Sequence, residues 1–89
     1  MSYHYEDFKN EIFTEKNQGA FLTVRDNINH LLDEAGAVSM QTVLKTPSVT
    51  ADTWLMMAFV DRLVELGEIK EVNRPDIIGQ YRIFVRPGE

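Results

Sequence analysis

The chain has 89 residues, 44% of them apolar and 26% charged, which fits one small globular domain with a modest core. Fourteen acids against nine bases leave a net charge of −5 at pH 7, whereas proteins that hold nucleic acid usually carry a basic surplus to neutralise phosphates. Cysteine is absent, so disulfides, thiolate metal sites and cysteine nucleophiles are excluded.

The first residues, M-S-Y-H-Y-E-D, carry acid where a secretion signal carries base. The longest apolar run, residues 54–60, falls far short of the ~20 residues that cross a bilayer. These features predict a soluble, cytoplasmic protein without a membrane partner. Residues 1–19 form an aromatic-rich N-terminal segment. Tyr5, Phe8 and Ile12 follow at i, i+3 and i+7, which predicts a short helix over 5–13. Two roles are open for it: a cover for the chain's own core, or an arm that joins two copies. The polar stretch 15–19, E-K-N-Q-G, reads as a loop.

Residues 20–89 form the second unit. Phe21, Val24, Ile28, Leu31, Leu32 and Ala35 make one apolar stripe, predicting a helix over 20–35 that Gly36 stops. Ser39 is placed to cap a short second helix with Met40, Val43 and Leu44 inward, closed by Pro47. A third helix is expected to start at Ser48 or Thr50, with Asp52 in its first turn, and to end at Leu66-Gly67. Its period turns Met56, Phe59, Val60, Leu63 and Leu66 inward, and Thr50, Thr53, Trp54, Met57 and Asp61 outward. A hairpin follows, with strands over 68–73 and 80–86. Tyr81, Ile83 and Val85 share one face of the second strand; Arg82, Phe84 and Arg86 share the other. Pro75 and Gly79 mark the turn between them.

Three helices and a hairpin, with Val60-Asp61-Arg62-Leu63 and Gly67-Glu68-Ile69 where the last helix enters the first strand, resemble the winged-helix superfamily. The likeness is to bacterial MarR-type regulators and covers roughly residues 20–86. The expected class is α+β: a three-helix winged helix-turn-helix with a C-terminal two-stranded wing and an extra N-terminal segment. The resemblance implies that the third helix enters the major groove while the wing touches the backbone.

Two functions are carried forward. A small transcription regulator, acting as a homodimer, would meet DNA through Lys45, Thr50, Thr53, Lys70, Arg74, Arg82 and Arg86. Lys70, Arg74, Arg82 and Arg86 offset Glu68, Glu71, Asp76 and Glu89, so this region is neutral and the −5 lies elsewhere. Phe84 between two arginines is positioned to stack on a base, although solvated arginines are the commoner outcome. The alternative is a winged helix turned to protein recognition. The run W-L-M-M-A-F-V is apolar around the whole helix, and a helix of that kind needs cover on every side. Tyr5, Phe8, Trp54, Met57, Ile77 and Ile78 are then the apolar anchors, unless residues 1–13 cover the helix themselves. His4 and His30 stand alone, no phosphate-cradling or nucleophile motif occurs, and the adjacent acids Glu6-Asp7 and Asp33-Glu34 point apart. No enzyme activity, cofactor or metal is expected.

Overall fold

A computed structural model describes residues 3–46, 49, 51–72 and 81–88. Among them are helices α1 (Tyr5–Ile12), α2 (Glu15–Ala35), α3 (Met40–Val43) and α4 (Thr53–Glu65), with strands β1 (Ala37–Ser39), β2 (Lys70–Glu71) and β3 (Ile83–Val85). The class is α+β.

Helix α1 forms where expected, with Glu6 and Asp7 in its first turn and Lys9 in its last, each charge matched to the helix dipole. Helix α2 begins earlier than expected: residues 15–19 are its opening turn, not a loop. Thr14 caps it, its hydroxyl accepting from the Asn17 N–H at 3.4 Å. The polar side chains of that turn work backwards on α1. Asn17 Nδ2 donates to the Glu11 carbonyl at 2.8 Å and Gln18 Nε2 to the Ile12 carbonyl at 2.6 Å. One short stretch thus starts one helix and satisfies the open carbonyls of the last. Gly36 ends α2 at φ 79°, donating to the Leu32 carbonyl at 2.8 Å.

Strand β1 was not expected. It pairs antiparallel with β3 in the register Val38 to Phe84, and β2 pairs with the other edge of β3 in the register Glu71 to Phe84. The sheet order is β1-β3-β2. Ser39 closes β1 and caps α3, accepting from the Thr42 N–H at 3.2 Å. Among the described residues, the strand expected over 68–73 contributes Lys70–Glu71 to the ladder, continued by the Val72 N–H to the Ile83 carbonyl at 2.8 Å.

Helix α4 is the axis of the core. Asp52 is its cap rather than a first-turn residue, accepting from the Trp54 N–H at 3.3 Å. Leu55 through Val60 are all buried, together with Leu63. Six consecutive buried residues span every side of the cylinder, so α4 is covered all round. Phe59 meets Phe21 of α2 edge-on, with ring centroids 5.8 Å apart. Leu66, expected inward, is 46% exposed, because it is the capping residue beyond the last full turn.

Candidate interaction surface

The face of α4 opposite α2 is where the outward stripe was expected. Helix α1 of the same chain lies on it. Trp54 meets the edge of Phe8 at 5.6 Å between centroids, and Phe8 stacks on Tyr3 at 6.0 Å. Met57 is 8% exposed and Ala58 fully buried. Of the two roles open for the N-terminal segment, it takes the role of cover in this chain. Trp54 and Met57 are therefore not a bare apolar surface, and Tyr5 and Phe8 face their own chain. The physical reason is area: α2 covers one side of an all-apolar helix, and a second amphipathic helix, α1, supplies the other.

Polar tips of α1, and of Tyr3 just before it, fasten this cover to the acids of α4. The Tyr3 hydroxyl donates to Asp61 at 2.5 Å and the Tyr5 hydroxyl to Glu65 at 2.9 Å. Lys9 Nζ lies 2.9 Å from Glu65, and Arg62 reaches the same carboxylate at 2.7 Å. Burial, and then the hydrogen bond to Asp61, hold the Tyr3 phenol well above its ordinary range. Burial and the bond to Glu65 push Tyr5 up to about 12. The donors from Lys9, Arg62 and Tyr5 bring Glu65 down to about 2. The Arg62 guanidinium also sits over the Phe13 ring, 5.1 Å from its centroid.

Among the described residues of the wing, Arg82 and Arg86 are engaged by groups of their own chain. Arg82 Nη2 donates to Asp61 at 2.7 Å and to Glu71 at 2.8 Å, while Nε donates to Glu71 at 3.0 Å. Its side chain is 15% exposed. Burial opposes the guanidinium charge, but the hydrogen bonds to Glu71 and Asp61 outweigh it and raise the pKa further. Arg86 donates to the side chain and the carbonyl of Asn29, both at 3.2 Å, and pairs with Asp33. Phe84 between them is fully buried and has no face left for a base. The cause is the β3 alternation: the Phe84 side points into the core, so its two arginine neighbours reach inward to acids of α2, α4 and β2.

Among the other residues expected at DNA, Lys45, Thr53 and Lys70 are exposed. Thr50, Arg74, Ile77 and Ile78 lie outside the described residues. His30 is exposed and lies 3.1 Å from Glu34, one turn along α2.

Sequence reasoning missed an open groove of about 530 Å³ beside the start of α4. Ala20, Val49, Ala51 and Leu55 give it an apolar floor, and Glu11, Lys16, Thr23 and Asp52 a charged and polar rim. Two distant stretches of chain, 11–23 and 49–55, meet there, so no local pattern signals it. Among the described residues no helix is long and apolar enough to cross a membrane, and no group of histidines and acids is spaced to hold a metal ion. Compared with protein-family models, curated proteins and solved structures, the chain matches none.

Proposed function

We propose that this chain is a non-catalytic winged-helix domain that recognises protein rather than DNA. Three helices followed by the β2–β3 hairpin support the winged-helix reading, with β1 as a third strand at the far edge of β3. One observation favours protein over DNA: α1 occupies the face of α4 that a winged helix would lay in the major groove. Asp61 on that face carries negative charge, and Arg82, which would oppose phosphates, is already bound to it. The partner surface is the groove beside α4, whose apolar floor and mixed-charge rim suit a short amphipathic segment of another protein.

The test is an amide NMR titration of the labelled full chain with a random DNA duplex at low salt. No movement at high duplex excess is the expected result. Shifts at Lys45, Thr53 and Lys70 that reverse on adding salt would sink the proposal and restore the DNA reading, because phosphate contacts are lost steeply as salt rises. Thr23→Arg then maps the groove. Thr23 is exposed and mid-helix, so the fold tolerates arginine there, and binding of any protein partner is expected to be lost with the stability unchanged.

A further inference from the structure

Only one residue separates α1 from α2 in backbone conformation. Phe13 is already helical at φ −84°, ψ 0°, whereas Thr14 is extended at φ −72°, ψ 148°. From Tyr5 to Gln18 there is no proline or glycine, so every residue of the junction accepts helical geometry. Rotating the Thr14 backbone into that geometry fuses the two helices.

The consequence follows from helical period. In a fused helix the Tyr5–Phe8–Ile12 stripe and the Phe21–Val24–Ile28–Leu32 stripe lie about 170° apart, at 100° per residue. The N-terminal stripe then faces away from its own core. A helix from Tyr5 to Ala35 is also about 46 Å long, more than the 32 Å longest extent of the fold. Its N-terminal third projects from the body, with its apolar face bare, and leaves α4 uncovered. The surface that fits both is the same pair of surfaces on a second copy of this chain.

We propose that α1 is an exchangeable arm: in a dimer each chain straightens at Thr14 and lays its α1 on α4 of the second copy. The contacts of α1 with α4 seen within one chain are then remade between two, from Phe8 on Trp54 to Lys9 on Glu65. The difference between closed and exchanged forms is confined to the hinge and to whatever the two copies bury around it. One large apolar side chain adjoins that hinge in the open, Phe13 at 50% exposure. Where the hinges of two exchanged chains meet, Phe13 supplies an apolar side chain to the new contact. The inference does not depend on which surface takes a protein partner.

The Lys9–Glu65 pair reports the exchange directly, since its side chains are 31% and 36% exposed and 2.9 Å apart. Unlabelled and ¹⁵N-labelled full chains are unfolded together, refolded at high concentration, and treated with a carbodiimide that joins the amine to the carboxylate. Monomer and dimer fractions are separated and the linked peptides weighed. In the dimer, about half of the Lys9–Glu65 links are expected to join a light chain to a heavy one, as random pairing of exchanged copies requires. Monomer links are expected to be of one isotope. Thr14→Ala removes the cap that only the closed form uses, twice per dimer, and is expected to raise the association constant about 30-fold. Same-isotope links in every fraction, or a Thr14→Ala protein no more dimeric than the parent, would overturn the proposal.

Discussion

Arg82→Met tests the central tie of the fold. Methionine keeps an unbranched apolar stem beside Phe84, whose ring lies 5.3 Å from the guanidinium, and removes only the charge and its donors. Asp61 is left with the Tyr3 hydroxyl, and Glu71 loses both bonds from Arg82. A hydrogen bond between charged groups contributes about 1.5–3 kcal/mol. The Asp61 arm, with side chains 15% and 16% exposed, is taken at about 2 kcal/mol. Glu71 is 35% exposed, and solvent screening reduces its arm to about 1 kcal/mol or less. The loss is therefore about 3 kcal/mol, at the low end of what stripping one partner from a buried pair does. At about 5 °C per kcal/mol for a domain of this size, Tm falls by about 15 °C. Urea unfolding followed by the single tryptophan, Trp54, and thermal unfolding by circular dichroism measure both quantities. Asp61→Asn in the same background should recover part of the loss, with a coupling of about 1.5–2 kcal/mol. A loss below about 1 kcal/mol would refute the reasoning. Arg82 would then be a solvated side chain, available to a phosphate after all.

Phe8→Ala removes the ring between Tyr3 and Trp54. Because Phe8 is only half-buried, the loss should be about 2 kcal/mol, below the range for a fully buried phenylalanine, and Trp54 emission should move to the red as water reaches the indole. Gly36→Ala meets no steric obstacle, since nothing lies within 4 Å of an added Cβ, yet φ of +79° disfavours any L side chain. Its destabilisation should be about 1 kcal/mol, seen as a lower urea midpoint with an unchanged slope. Tyr5, raised from 10.0 to about 12 by burial and its bond to Glu65, stabilises the fold fully below pH 10 and loses that contribution between pH 10 and 12. Tyr5→Phe should flatten this alkaline limb of the urea midpoint. Glu65 shifts the opposite way, from 4.5 to about 2, so its contribution is present above pH 4.5 and lost as pH falls towards 2. Glu65→Gln should flatten the acid limb; an unaltered limb would mean that the exposed contacts of Glu65 are not held in solution.

The helix ends were legible because their causes are local. Gly36 and Gly67 adopt positive φ, and Ser39 reaches a backbone N–H three residues on, whatever the rest of the chain does. The apolar periods of α1, α2 and α4 were legible for the same reason. The opening of α2 was misread because E-K-N-Q-G looks like a loop by composition. Its asparagine and glutamine cap the helix before it, a role set by geometry across the junction. Strand β1 was missed because three residues carry too little pattern without their partner β3.

The candidate site was legible only in its ingredients. Periodicity showed that Trp54 to Val60 must be covered on all sides; that α1 does the covering was one of two roles left open. Arg82, Phe84 and Arg86 were placed on one face of β3, but alternation says nothing of which face is the inner one. Burial of Phe84 decided that, and with it the inward turn of both arginines towards Asp61, Glu71, Asn29 and Asp33. Local propensity and period act within a few residues and are written in the chain. Which acid an arginine meets across 21 or 53 residues is settled only when the core closes and leaves those charges facing one another.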